Sequence, residues 1–464
     1  MVEHKPMNAT DRLLDVIQRG LTGPVMDEQQ FDSEQVAGGI RHVLRQYEIR
    51  ADRSHVVNLD DGLADRVWSA ALDFLASCGV YCIDTGRVIR FSREEIEQIL
   101  NDAPREVQLG AGSDAVHESY RLVGEKRPPL NMGGPVGSPV SEALFVPVML
   151  SYAQEPGVDV VCPATLSTLQ GCEIRTRSPL EVLAAWQEFD GMMQVLERAG
   201  RPGMAVNCGQ ISISDVGFLS AISRGGYRPT DMHTLGMISE LKVNFEQLNK
   251  VAHAIKQGGI IDPFANPIYG GLGGGLEGIA VLLTAELVAL NLVFMAVCHG
   301  SSPTHPFNFN DTSREIMQAT GLSLQALARN SHLMTNMTVS PVGGPGTKTL
   351  LYECAAYTTL CTVSGASRIL GPRSACGTVQ DHFSGLEARF NGGVARAAAS
   401  LDRERADELV QRLLSCYEDL QDKKPVGKPF PEVYDLSTVQ PTRAWLDIYD
   451  EVVREVSGWG LPLR

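Results

Sequence analysis

From Leu130 to Leu370 the chain repeats one pattern: a short apolar run, then a longer segment with apolar residues at helical spacing. The short runs are Leu130–Met132, Val158–Cys162, Met204–Val206, Ala265–Tyr269, Leu292–Cys298, Asn336–Val339 and Ser367–Leu370, each ending in or near Gly, Pro, Asn or Cys. Ser178–Ala199 and Glu246–Gln257 are two of the helical segments between them, and Gly258 stops the second. Strands alternating with helices pair in parallel, and seven or eight such units predict a closed TIM (β/α)₈ barrel. The eighth strand has no clear run of its own. The N-terminal third is mostly helical and polar, with Val67–Cys78 as its clearest helix and Gly79 as the stop. Val394–Lys423, rich in Ala, Glu, Arg and Leu, predicts one or two helices packed outside the barrel. No long linker and no internal repeat interrupts the chain. The expectation is one domain over 1–464, with a mainly helical extension over about 1–125 and C-terminal helices over about 394–464.

Composition narrows the functional classes. With 55 acidic and 40 basic side chains in 464 residues, the net charge is −15, and no Lys/Arg cluster offers a face to nucleic acid. At 44% hydrophobic and 20% charged residues the chain is globular rather than disordered. Ten cysteines without a C-x-x-C pair do not make a disulfide scaffold. The opening MVEHKPMNATDRLLD lacks an apolar signal core. Gly278–Cys298 is almost wholly apolar, but Glu286 and Asn291 would be costly at a bilayer centre, so it reads as a buried helix leading into a buried strand. A soluble, cytoplasmic protein in a reducing compartment is expected.

In a barrel, chemistry sits where strands end and the following loops begin. That rule selects Cys162, Asn207, the stretch Phe264–Gly275, Cys298-His299 and the stretch Asn336–Gly344. Gly273-Gly-Gly-Leu-Glu-Gly278 fits G-x-G-x-x-G, yet a dinucleotide site also needs an acid about 20 positions on, where Cys298-His299-Gly300 stands. A tight strand-to-helix turn explains these glycines better. Cys208, His233, Cys298, His299 and His305 lie in the same region, but Cys298 and His299 are adjacent and would point opposite ways in a strand. A scattered three-ligand zinc site stays open as an alternative, beside the simpler reading of buried cysteines as small apolar residues.

Particular strings then carry a resemblance. Cys78-Gly-Val-Tyr-Cys-Ile-Asp-Thr, Gly133-Gly-Pro-Val-Gly-Ser-Pro-Val-Ser-Glu, Ser178-Pro-Leu-Glu-Val-Leu-Ala-Ala, Ala199-Gly-Arg-Pro-Gly-Met, Gly385-Leu-Glu-Ala-Arg and Gly393-Val-Ala-Arg-Ala resemble the monomethylamine methyltransferase family of methanogens, colinearly from about residue 60 onward. The resemblance implies a TIM barrel, assembled as a homohexamer, that passes a methyl group from methylamine to the cobalt of a separate corrinoid protein. It implies no cofactor held tightly by this chain, the corrinoid (cobalamin) coming from the partner. The family carries pyrrolysine after Gly-Met-Gly-Val; here Gly203-Met-Ala-Val is followed by Asn207. Aligning the flanking strings puts Thr234 and Phe264 where two family glutamates stand, and Thr338 (or Met337) where a glutamine stands. His233, His299 and Glu353 fall on family-matching positions.

The resemblance therefore implies a pyrrolysine-lacking methyltransferase acting on a small methylated substrate. Without an imine to trap an amine, positioning, desolvation and electrostatics remain, and these suffice for a methyl group already activated, as in quaternary ammonium, sulfonium or chlorinated methane compounds. Asn207 is expected to orient the donor, with His233 and His299 as polar contacts. Phe264 and Tyr269 are expected to offer ring faces to a methylated cation, worth about 0.5–2 kcal/mol; volume filling is the plainer account of Phe264. Thr234, Met337, Thr338 and Glu353 complete the expected substrate-binding set. Two rivals are a barrel enzyme with zinc-activated methyl transfer or other chemistry through Cys208, His233 or His299, and a non-catalytic relic that still binds a corrinoid protein.

Overall fold

The computed structural model describes residues 7–208 and 214–463. Its principal sheet orders nine paired stretches, all parallel, two of which are halves of one strand interrupted at Asp262-Pro263. The eight strands are β1 (Leu130–Gly133), β2 (Val160–Val161), β3 (Ala205–Cys208), β4 (Met232–His233), β5 (Ile260–Ile261 and Phe264–Ala265), β6 (Cys298–Ser301), β7 (Met334–Thr338) and β8 (Arg368–Gly371). β5 closes the ring. On one side the amides of Asp262 and Phe264 donate to the carbonyls of His233 and Leu235; on the other, those of Val297 and Gly300 donate to Ile261 and Pro263. The ring is a TIM (β/α)₈ barrel, as the alternation predicts.

Two strand expectations shift and one strand is new. Leu292, Val293 and Phe294 finish the helix Leu276–Phe294, which ends on a left-handed Met295, so β6 begins only at Cys298. β5 lies earlier than Ala265–Tyr269 because its ladder runs from Ile260 and stops at Ala265. The missing strand is β4, two ladder residues inside the polar string Asp231-Met-His-Thr, too short for a hydrophobic pattern to show. Helices Gly385–Ala398 and Arg403–Tyr417 account for the C-terminal helical segment, and the second packs on Lys348–Ser364.

Leu276–Phe294 is apolar on every side because it has no solvent side. It packs against Asp61–Cys78 and Arg314–Asn330, and nearly all of it is buried in the protein. Among the described residues it is the one helix long and apolar enough to cross a membrane. The glycines before it make the strand-to-helix turn, and a Cβ on Gly278 would fall 1.8 Å from the Gly273 carbonyl oxygen.

Alternation along the strands separates two cores. Met132, Val160, Cys162, Ala205, Met232, Ile260, Phe264 and Leu370 fill the barrel interior. Val161, Val206, Cys208, Ile261, Ala265, Met337 and Ile369 face the helical layer. The hairpin formed by Glu106–Leu109 and Val116–Ser119 closes the N-terminal end: the amides beyond it, Gly110 and Ala111, donate to Thr230 and Gly203, and Leu109 joins the interior core. Chemistry is thereby left to the opposite, C-terminal mouth.

Gly300 shows how tightly that mouth is packed. A Cβ there would lie 2.6–2.7 Å from three carbons of the Phe264 ring. Gly300→Ala is expected to cost about 1–3 kcal/mol by overpacking. Urea denaturation measures it, and unchanged stability would mean that the ring gives way.

Candidate active site

A ring of polar groups crosses the barrel interior. Arg368, at the start of β8, is fully buried and grips Asp262 with one amino group at 2.9 Å to each carboxylate oxygen. Its other amino group reaches Glu118 on the N-terminal hairpin at 2.8 Å. Asp262 in turn accepts from Asn207 Nδ2 at 2.6 Å. Asn207 Oδ1 then accepts from the hydroxyl of Thr234, so both ends of the amide are assigned by their partners. The Cys162 thiol approaches the same Oδ1 at 3.9 Å, and the Cys298 thiol reaches Glu118 at 3.6 Å.

Burial sets the electrostatics. It pushes the Asp262 and Glu118 carboxyls up, with Arg368 pulling against it. Burial also works against the Arg368 charge, but the two carboxylates outweigh it and hold the guanidinium protonated. The thiols of Cys162 and Cys298 are pushed up by burial and stay protonated. The site therefore carries neither a ready nucleophile nor an electrophile. It offers a clamped amide, a hydroxyl and, on the same inner face of the ring, the Phe264 side chain at 8% exposure. Thr338 is also on the inner face, paired in register with Leu370, and its buried hydroxyl has no partner among the described residues. These groups can bind and orient a small polar or cationic molecule; they cannot form a covalent adduct with it.

The two histidines do not join this site. His299 lies between Cys298 and Gly300, whose side-chain directions meet Glu118 and the Phe264 ring inside the barrel. Its own ring therefore points outward, with Nδ1 at 3.2 Å from the Met334 carbonyl oxygen. His233 is likewise turned outward, Nδ1 at 3.0 Å from Cys208 Sγ and the ring edge-on to Phe218. Strand alternation decides both, because Asn207 and Met232 occupy the inward register. Burial holds both rings near a pKa of about 4, hence neutral at pH 7.

Other expected residues separate in the same way. Met337 faces the helical core. Tyr269 packs against that core beside Arg53, Glu277 and Glu315, away from Phe264. Glu353, on helix Lys348–Ser364, accepts from the amides of Val342 and Gly343 at 3.1 and 2.8 Å and from the Thr312 hydroxyl at 2.6 Å, fixing the loop after β7. His305 accepts from the Phe307 and Asn308 amides within its own loop. The zinc candidates are divided by the barrel wall: Cys208, His233 and His299 are behind it, Cys298 within. Among the described residues no group of three or more His, Cys, Asp or Glu side chains is arranged to hold a metal. Arg368, Asp262 and Glu118 escape the sequence reading; the available signal is an arginine inside the apolar run Ser367–Leu370.

A parallel barrel plugged at its N-terminal end, with a clamped polar ring beneath its C-terminal mouth, defines a TIM-barrel enzyme. The family model described as monomethylamine methyltransferase MtmB matches residues 12–461. The chain belongs to that family and is a methyltransferase. It is 34% identical to monomethylamine methyltransferase MtmB2 of Methanosarcina acetivorans over 409 residues, 88% of this chain and 89% of that protein. To MtmB1 of Methanosarcina barkeri it is 33% identical over the same shares. The crystal structure of the M. barkeri monomethylamine methyltransferase superposes with a TM-score of 0.94 at 31% identity, covering 97% of this chain and 98% of that one. The hydroxylamine complex of MtmB superposes equally well.

The outward histidines make a pH prediction. Their folded pKa of about 4 lies below the ordinary 6.5, so the unfolded chain binds the proton first, and stability present above pH 6.5 is lost as pH falls toward 4. For the fully buried His299 the loss is at most about 3 kcal/mol. His299→Gln is expected to flatten urea midpoints measured between pH 7 and 4.5 while leaving methyl transfer per folded molecule unchanged. A tenfold drop in that rate would return His299 to the site.

Proposed function

We propose that this chain is a corrinoid-dependent methyltransferase that works without pyrrolysine and takes its methyl group from a small activated donor. The observation that carries the reading is Asn207. By resemblance it stands where the family has pyrrolysine, and it lies on the inner side of β3, clamped between Asp262 and Thr234. An amide held this way forms no adduct with an amine, so the donor must release its methyl group unaided. Quaternary ammonium and sulfonium compounds do so because the departing group is neutral, and chlorinated methanes because halide is stable. Of these, the surroundings favour a methylated cation: Phe264 offers a ring face, and two carboxylates beneath Asn207 exceed the one guanidinium between them.

In this reading the chain binds and orients. Phe264 and Thr338 wall the donor, the Asn207 amide fixes it, and the closed barrel keeps water from the reacting methyl group. The cobalt(I) of a partner corrinoid protein, docked over the C-terminal mouth, accepts the methyl group. The corrinoid stays with that partner, as the family resemblance implies. A homohexameric assembly and a cytoplasmic location belong to the same proposal.

The test is methylation of a reduced corrinoid protein, followed by its absorbance. Tetramethylammonium is expected to support turnover and monomethylamine not; comparable turnover with monomethylamine would overturn the reading. Asn207→Ala is expected to lower kcat/KM by tenfold or more, about 1.4 kcal/mol in the transition state. Because Asn207 is fully buried and donates to Asp262, the same change should also cost about 1–2 kcal/mol of stability. A normal rate per folded molecule would remove Asn207 from the site.

A further inference from the structure

Arg373 is a partly buried cation whose side chain has no partner among the described residues. Its Nε is enclosed and unpaired, and no described residue gives its side chain a hydrogen bond or an ion pair. The two terminal amino groups are not enclosed, and the residue is only partly buried, so they stay open to solvent. What sets Arg373 apart is its terminal amino groups: those of Arg121 donate to the carbonyls of Thr362, Ala366 and Glu125 and those of Arg368 to two carboxylates, although the Arg368 Nε is also enclosed without a described partner. With Nε enclosed and its amino groups open, Arg373 presents charged donors that an anion reaching the mouth can take.

Its place in the fold says what kind. Arg373 follows β8 by two residues, and its amide donates to the Val339 carbonyl just beyond β7 at 2.7 Å. The loops after the seventh and eighth strands are a recurrent phosphate seat in TIM barrels. Around the guanidinium winds a turn of three successive left-handed residues, Ala375 (φ 50°), Cys376 (φ 53°) and Gly377 (φ 64°). Two of these are not glycine, and such strain gathers at functional sites. A Cβ on Gly377 would lie 2.3 Å from Arg373 Nε and 2.6 Å from Ser138 Oγ, so the turn leaves the guanidinium its room. Ser138 comes from the loop after β1, which places the group between loops of the C-terminal mouth. The carboxylate acting on Arg373 is Asp311, already engaged by the Ser340 amide at 2.8 Å and the Ser302 hydroxyl at 3.0 Å. Burial pushes the Asp311 carboxyl up to about 7, which weakens it as a counter-ion.

We infer that Arg373 and the left-handed turn around it seat an oxyanion, a carboxylate or a phosphate, at the barrel mouth. The source of that anion rests on the methyl-transfer reading. It is either a carboxylate on the donor, making the donor a zwitterion with its methylated cation toward Phe264, or a phosphate on the partner's corrinoid.

Calorimetric titration of the full-length protein with inorganic phosphate and with acetate tests the seat directly. The unmodified protein is expected to bind at least one of them, Arg373→Gln to weaken that binding tenfold or more, and Arg373→Lys to restore part of it. The melting temperature of Arg373→Gln should equal or exceed that of the unmodified protein, since no side-chain hydrogen bond or ion pair to a described residue is lost. No binding by the unmodified protein, unchanged binding by Arg373→Gln, or a clear fall in its melting temperature would overturn the inference. If Arg373→Gln fails to fold, the last outcome has occurred. Kinetics with tetramethylammonium and with trimethylammonioacetate separate the sources. A tenfold KM rise in Arg373→Gln confined to the carboxylated donor assigns the anion to the donor; a rise in the KM for corrinoid protein with both donors assigns it to the cofactor. Neither KM moving would count against the seat. Absence of methyl transfer from every donor would defeat the methyl-transfer reading, and the titration alone would then decide the oxyanion seat.

Discussion

The barrel is assembled around Arg368. A guanidinium in a dry interior needs charged partners, and here Asp262 and Glu118 take its two terminal amino groups from β5 and from the hairpin that plugs the barrel. Breaking such a buried arrangement by removing one partner costs about 3–5 kcal/mol. The same interaction ties three distant parts of the sequence together: the N-terminal hairpin, the strand that closes the ring and the last strand. It also fixes the floor of the candidate site, because Asp262 Oδ2, held by Arg368, accepts from the Asn207 amide as well. On the proposed reading strength and function share one network, since the amide of Asn207 is held by a carboxylate that Arg368 anchors.

Much of the architecture was legible in the hydrophobic pattern. Short apolar runs alternating with helices announce a parallel barrel, and most strands lie close to where the runs fall. The pattern failed where strands are too short or too polar to have one: β4 has two ladder residues, and β5 is interrupted by Asp262-Pro263. It also failed at helix ends, since Leu292–Phe294 is as apolar as a buried strand and only the left-handed Met295 marks the break. In the site, Asn207, Thr234, Phe264 and Thr338 face the interior, whereas His233, His299 and Met337 are one register step away and face the helices. A strand's period of two decides between these faces, and a boundary error of one residue reverses every assignment. The polar floor was hidden for another reason. Glu118, Asp262 and Arg368 are far apart in sequence, and no spacing rule links them.

On the proposed reading the arrangement separates the tasks of a methyl-transfer site. The ring beneath supplies fixed charge and a fixed amide, the Phe264 ring held by Gly300 supplies an apolar wall, and the mouth carries Arg373 among loops that Glu353 and Asp311 stabilise. Each of these is a means of placing a substrate rather than of activating it, which is consistent with a donor whose methyl group leaves without covalent help.

The central claim is that Asp262, anchored by Arg368, acts on the substrate through Asn207. A double-mutant cycle on kcat/KM with Asn207→Ala, Asp262→Asn and the pair, each rate taken per folded molecule, tests it most directly. If Asp262 works through the amide, the double variant will be about as slow as the slower single variant. Losses that multiply would mean that the two residues act independently, and the clamp would then be a feature of the fold alone.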